Sequence, residues 1–257
     1  MSLPRERLVQ LLTLTDLTSL ELTDTPETIA ALCARARRPD PTDSGVPPVA
    51  AVCVYPWLVK VAAAEVAGTS VAVASVAGNF PTGVATIAEK VAETEQAIAD
   101  GATEIDLVVD HVAFASGAEQ ALFEEVAAVR AASAGVRLKV ILETGALGAP
   151  ERIRRAADLA LDAGADLLKT STGKGHPGAS PEAAGILWTA ASEYAVRRGR
   201  RVGVKVSGGV RTPADALTYL EQAETALGAA ATPATFRIGA SALVDALVTA
   251  LVTARRP

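Results

Sequence analysis

Eighteen arginines supply most of the positive charge of this 257-residue chain, and only six lysines stand beside them, at Lys60, Lys90, Lys139, Lys169, Lys174 and Lys205. Arginine stays charged in proteins, whereas a lysine can give up its proton and become a nucleophile. A coding bias toward Arg accounts for the scarcity of Lys but not for its placement, since four of the six fall at or near the ends of Val-rich, strand-like runs. A neutral lysine amine adds to a carbonyl and leaves a Schiff base. That group accepts the electron pair released when a neighbouring carbon-carbon bond breaks.

The runs that carry these lysines alternate with longer segments of helical periodicity, the sign of repeated β-α units. Strands are expected at residues 49–55, 71–76, 104–109, 138–143, 166–171, 202–207 and 236–239, with a weaker eighth at 225–229. Helices are expected at 56–67, 82–100, 118–134, 149–163, 181–198, 213–222 and 242–254, and two more, at 5–12 and 26–37, precede the first strand. Eight units of this kind predict an α/β fold, a single-domain (β/α)8 TIM barrel over residues 1–257. Residues 1–48 would form an extra N-terminal helical extension and loop, and residues 49–257 the barrel. An open doubly wound sheet is the alternative, but no G-x-G-x-x-G follows the first strand to support a dinucleotide-binding version.

Alternation along each strand then says which side chains enter the barrel. In the run 104–109, Ile105, Leu107 and Val109 share the helix-facing parity, which turns Asp106 inward. The same logic sends Lys139 and Glu143 inward from the run 138–143, Lys169 together with Leu167 from the next, and Lys205 from between the valines of 202–206. Burying this many charges costs several kcal/mol per ion unless they are paired, so a purely structural origin is a poor explanation for the set. Neighbouring strands lie roughly 4.8 Å apart, and two lumenal ammonium groups about 6 Å apart repel by roughly 3 kcal/mol at an effective dielectric near 20. One of Lys169 and Lys205 is therefore expected to be neutral in mild alkali, with Asp106 holding Lys139 and passing protons through a water. Glycines cluster where the later strands end, at Gly173 beside Lys174, at Gly208 and Gly209, and at Gly239 just before Ser241 opens a helix. Exposed backbone N–H groups there suit a phosphate.

The formal net charge of −5 and a pI near 5.2 give no reason to expect nucleic acid or an anionic membrane surface as a partner. The two cysteines, Cys33 and Cys53, have no metal spacing, cannot make a disulfide framework and fit a reducing cytoplasm. The N-terminus shows no cleavable signal pattern, and the longest apolar stretch, 61–78, is interrupted by Glu65 and by Gly and Ser.

With these residues in view, the chain resembles the deoxyribose-phosphate aldolase family of class I aldolases. The resemblance runs from Asp16 to about Leu247 and rests on LTDLT (14–18), AVCVYP (51–56), NFPTG (79–83), EIDLVV (104–109), LKVILETG (138–145), LLKTSTGK (167–174), VKVSGGVRT (204–212) and RIGAS (237–241). It implies a lyase, without metal or cofactor, that reversibly cleaves 2-deoxy-D-ribose 5-phosphate to acetaldehyde and D-glyceraldehyde 3-phosphate. Lys169 matches the Schiff-base lysine, Lys205 the lysine that lowers its pKa, and Asp106 the aspartate of the proton relay. Gly173, Lys174, Gly208, Gly209, Gly239 and Ser241 match the phosphate grip. Asp16, Thr18, Cys53 and Thr170 match positions that hold or border the substrate, with Lys139 alongside. Cys53 reads as a small lumenal hydrophobe, not a nucleophile.

The chain departs from relatives at Ala242, where many have a second serine, at Val206, where a small residue or proline is common, and at its end, 254–257, where some have a tyrosine. A homodimer is expected, and His111 and His176 are assigned no role. A phosphosugar isomerase or synthase, with lysines as phosphate clamps and Glu143 as its base, is the competing reading. A sugar-phosphate barrel that binds without catalysis is a third.

Overall fold

The computed structural model describes residues 3–254. Eight parallel strands close into a barrel in sequence order. They are β1 (Thr15–Thr18), β2 (Ala51–Val54), β3 (Ala72–Ala77), β4 (Glu104–Val108), β5 (Arg137–Ile141), β6 (Leu167–Lys169), β7 (Gly203–Ser207) and β8 (Phe236–Ala240). The expected (β/α)8 barrel is therefore the fold, with two of its elements relocated. The first strand is not 49–55 but β1, inside the stretch expected to be a helical extension, so the boundary at residue 48 is wrong. Among the described residues only the helix Arg5–Thr13 precedes the barrel, while Pro26–Arg37 is the β1-to-β2 crossover. The weak strand at 225–229 is the end of the helix Pro213–Leu227, stopped by Gly228 at φ 63°. β1 is hidden because Asp16 stands where a core strand usually shows Val or Ile, breaking the apolar run that marks strands as short as β2 and β6.

Two apolar layers hold the barrel. On the outside, Ile105, Leu107, Val140, Leu168, Val204 and Ile238 are buried against the ring of helices, as alternation requires. Each such side chain contributes about 1.5–3 kcal/mol when removed from water. Inside, Cys53, Tyr55, Ala74, Val76, Val108 and Ile141 form a second cluster that fills the β2 to β5 side of the lumen. The opposite side is left for charged groups.

Helix caps and buried polar ties set the carboxyl ends of the strands, where a barrel puts its chemistry. Helix Ile87–Ala99 starts at a capping box of Thr86 with Glu89, not at residue 82 as periodicity suggests. On the same helix Glu93 accepts from the backbone N–H groups of Gly78 (2.5 Å) and Asn79 (3.1 Å), which fixes the turn after β3. Gly78 has φ 88°, and a Cβ there would lie 2.7 Å from the Val108 carbonyl, so only glycine fits. Lys90, one turn earlier, is buried, donates to that same Val108 carbonyl at 3.3 Å and pairs with Glu125. Glu125 also accepts from Asp110 N–H at 3.1 Å.

Among the described residues no helix is long and apolar enough to cross a membrane.

Removing one partner of the buried Lys90–Glu125 pair strands the other charge. Lys90→Met should therefore cost about 3 kcal/mol, read as a lower urea midpoint, and Lys90→Met combined with Glu125→Leu should recover most of it. A loss below about 1 kcal/mol in the single variant would show that the pair does not hold this corner.

Candidate active site

Strand register brings the inward-facing charges to one level. Asp106 pairs with Lys139 across β4 and β5, Lys169 with Lys205 across β6 and β7, and Lys205 with Arg237 across β7 and β8. On β1, Asp16 lies beside Gly239 of β8. Seven charged side chains thus meet inside the barrel, each at most 3% exposed: Asp16, Glu104, Asp106, Lys139, Lys169, Lys205 and Arg237.

Their contacts are unequal. Lys139 Nζ lies 2.7 Å from Asp106 Oδ1, 2.6 Å from Glu104 Oε2 and 3.5 Å from Asp16 Oδ2. Lys205 Nζ donates to Asp16 Oδ2 at 2.5 Å and to Asp106 Oδ2 at 2.7 Å. Arg237 spans Asp16 and Glu104, the latter at 2.6 Å. Lys169 touches a single carboxylate, donating to Asp106 Oδ2 at 2.8 Å. Four buried basic groups share three carboxylates, and half-buried Arg137 also pairs with Glu104 at 2.5 Å, so positive charge is in excess and weighs most on the group with the fewest carboxylate contacts. The one with the fewest carboxylate contacts is Lys169.

The ionisation tendencies agree. Burial is the largest influence on Lys169 and pushes its pKa down; Asp106 pulls it up, Lys205 pushes it down again, and the result lies below the ordinary 10.5. For Lys205 burial acts in the same direction, but Asp106 and Asp16 outweigh it and its pKa is raised. Burial also opposes Lys139, which Asp106 and Glu104 carry upward. Burial would raise the Asp106 carboxyl, yet Lys139, Lys169 and Lys205 hold it well below the usual carboxylate range. The expectation that crowding by Lys205 neutralises its neighbour is thus right in direction. Desolvation, however, contributes more than the repulsion.

Lys169 also opens onto a cavity of about 420 Å³ at the carboxyl ends of the strands, and the expected residues Thr18, Gly173, Lys174, Gly208, Gly209, Gly239 and Ser241 line it. Gly239 is required there, because a Cβ would stand 2.9 Å from the Ser207 side chain and 3.0 Å from Lys205 Cε. Helix Leu243–Thr253 starts at the same wall, and its N-cap, Ala242, supplies no side-chain hydrogen bond. Its first-turn N–H groups therefore have no cap of their own, which suits an oxyanion. Lys174 pairs with Glu21 at 2.9 Å across the cavity mouth.

Asp16 and Lys139, expected to hold or border the substrate, belong to the buried charge cluster and not to the cavity lining, and three further expected residues sit elsewhere. Cys53 lies deeper in the lumen, its Sγ 3.9 Å from Asp106 Oδ2, and burial raises its thiol pKa, which fits a packing role and not a nucleophile. Thr170 is fully buried and exchanges bonds with Ser207, accepting from its N–H at 3.1 Å and donating to its carbonyl at 3.3 Å, so it ties β6 to β7. Glu143 does not point inward from β5: the strand ends at Ile141, and Glu143 has a left-handed backbone with φ 54°. Its carboxylate meets Thr172 instead.

Sequence reading passed over Glu104, Arg237, Thr172 and Arg211. The first two could have been found, since Glu104 shares the parity of Asp106 and Arg237 that of Gly239. Arg211 and Thr172 line the cavity from loops, where no periodicity locates them.

Because Lys169 makes one carboxylate contact and its pKa is lowered, Lys169→Met should stay within about 1 kcal/mol of native stability near neutral pH, whereas Lys205→Met or Lys139→Met, each removing two or more carboxylate contacts, should lose about 3–5 kcal/mol. In the parent protein the unfolded chain binds a proton that folded Lys169 has released, so stability should rise with pH from its depressed midpoint up to 10.5. Lys169→Met should flatten that rise in denaturant titrations. Equal losses in all three variants would contradict the assignment.

Comparison with known proteins places this geometry. Residues 11–247 match the DeoC/LacD family aldolase model. The chain is 44% identical over 250 residues to the deoxyribose-phosphate aldolase of Agrobacterium fabrum, covering 96% of this chain and 93% of that protein. A candidate deoxyribose-phosphate aldolase from Toxoplasma gondii ME49 superposes with a TM-score of 0.87 at 27% identity, over 97% of this chain and 95% of that one. The tetrameric deoxyribose phosphate aldolase of Aeropyrum pernix gives 0.74 at 27% identity over 98% of each chain. With its family match spanning nearly the whole barrel and a charged lumen built around one weakly paired lysine, the chain belongs to the DeoC/LacD aldolase family.

Proposed function

We propose that the protein is a class I deoxyribose-phosphate aldolase, cleaving 2-deoxy-D-ribose 5-phosphate reversibly to acetaldehyde and D-glyceraldehyde 3-phosphate. The observation that carries this reading is the buried cluster in which Lys169 alone has only one carboxylate contact while facing the cavity. Its neutral amine adds to C1 of the open-chain sugar, and loss of water with uptake of one proton from the water relay at Asp106 gives a protonated imine. The C3 hydroxyl returns a proton to that relay, the C2–C3 electron pair flows to the imine as an enamine, and glyceraldehyde 3-phosphate leaves. Protonation at C2 and hydrolysis release acetaldehyde and regenerate the amine.

Asp106 is held ionised by its lysine neighbours, so its part is to keep Lys169 oriented and to hand protons on through a water. Lys205 acts as the fixed cation whose charge and placement disfavour protonation of Lys169. The substrate phosphate fits the far wall, where Lys174, Arg211 and the uncapped start of helix Leu243–Thr253 converge with Gly208 and Gly209. Lys174 would exchange its Glu21 partner for the phosphate. A backbone-rich grip of this kind tolerates Ala242, because the helix start supplies donors that need no serine.

The isomerase alternative loses its base, since the Glu143 carboxylate is occupied by Thr172 and lies outside the cavity lining. We propose a homodimer as the assembly and a reducing cytoplasm as the compartment, the latter fitting Cys33 and Cys53 as buried free thiols.

Borohydride added with acetaldehyde should fix a two-carbon unit on Lys169, located by peptide mass. Lys169→Ala should lower turnover of 2-deoxyribose 5-phosphate at least about a thousandfold. A label on Lys205, or near-normal turnover in Lys169→Ala, would overturn the proposal.

A further inference from the structure

Glu143 combines two costs that neither the barrel nor the Schiff-base chemistry explains. It holds φ 54° and ψ 58°, a left-handed conformation that an ordinary side chain resists and glycine would adopt freely. It is also 1% exposed and, among the described residues, makes no ion pair. A buried carboxylate without a cation must be satisfied by donors.

All the donors are on one residue. Thr172 N–H lies 3.2 Å from Glu143 Oε2 and 3.4 Å from Oε1, and Thr172 Oγ1 donates to Oε2 at 2.5 Å. With its proton committed to Glu143, the Thr172 hydroxyl is left as an acceptor, and Lys174 N–H donates to it at 3.1 Å. A chain of bonds therefore runs from the carboxylate through Thr172 to the backbone of Lys174. The segment it fixes, Thr172, Gly173 and Lys174, lines the cavity, with Gly173 packed beside Gly208. At its other end the chain is anchored to the reacting lysine's strand, since Leu142 N–H, one residue before Glu143, bonds to the Lys169 carbonyl at 3.0 Å.

We infer that Glu143 is a positioning residue that sets the enzyme's preference for phosphorylated over unphosphorylated substrates, by holding the 172–174 loop in the shape that receives the phosphate. This rests on the proposed aldolase function and adds to it a residue outside the cavity. The left-handed backbone is what turns the Glu143 side chain away from the lumen and toward Thr172. A strand-like residue at 143 would point its carboxylate into the barrel and upset the charge balance there.

The test compares 2-deoxyribose 5-phosphate with 2-deoxyribose in the full-length enzyme. Glu143→Gln keeps the size but removes the charge that orders two donors, and should raise KM for the phosphorylated substrate about tenfold with kcat within about twofold. Its kcat/KM for 2-deoxyribose should stay within about twofold of the parent, and acetaldehyde trapping on Lys169 should be unchanged. Thr172→Val should raise the same KM, and Thr172→Ser, which keeps the hydroxyl, should restore it; this pair carries the test if Glu143→Gln does not fold. Equal loss on both substrates, a fall in kcat alone, or no change in KM would overturn the inference. A parent enzyme that cleaves neither substrate would overturn the aldolase reading itself, and this inference with it.

Discussion

The constraint on which the site depends is electroneutrality in a space closed to water. Asp16, Glu104 and Asp106 face Lys139, Lys169, Lys205 and Arg237 inside the barrel, and none of the seven is more than 3% exposed. A medium of low polarity tolerates ions only in matched sets. Cations outnumber the three carboxylates, the more so because half-buried Arg137 also pairs with Glu104, and the least-paired basic group is pushed toward its neutral form. Lys169 is that group because it shares one oxygen, Asp106 Oδ2, with Lys205, whose second carboxylate makes it the stronger claimant to charge. The reactive amine is thus a consequence of counting as much as of proximity. The fold stores this arrangement at no further expense when substrate arrives, which is what preorganised electrostatics means in a barrel.

The remaining structure serves that set in layers. The apolar cluster on the β2 to β5 side closes one half of the lumen and denies water to the charges. Lys90, Glu93 and Glu125 tie the turns after β3 and β4 to the helices outside, and so steady the strand that carries Glu104 and Asp106. On the far side, glycines at Gly208 and Gly239 let backbones approach where any side chain would collide, with a Cβ at Gly208 only 2.8 Å from the Gly178 Cα. Charged floor and open backbone wall face each other across one cavity. A substrate with a carbonyl at one end and a phosphate at the other matches that polarity.

Much of this was legible from residue types. Alternation in the runs around Asp106, Lys139, Lys169 and Lys205 correctly turns all four inward, because a parallel strand packed on helices must keep its outward parity apolar. The same rule does not find β1, where Asp16 replaces the usual branched aliphatic and no apolar run marks the strand. It fails again at Glu143, where parity predicts a lumenal carboxylate and the backbone leaves the strand two residues earlier. Glu104 and Arg237 obey the rule but resemble ordinary ladder ends until the closed barrel brings them within 2.6 Å of each other. Thr172 and Arg211 belong to loops, whose positions are set by tertiary contacts and leave no periodic trace.

The central claim is tested most directly by titrating the Lys169 amine itself, following the ζ-nitrogen resonance of labelled lysine in the parent protein and using Lys169→Met to assign it. The account predicts a midpoint clearly below the ordinary lysine value of 10.5, while Lys139 and Lys205 stay protonated through the same range. A Lys169 midpoint at or above that value, with either of the other two lysines losing its proton first, would contradict it.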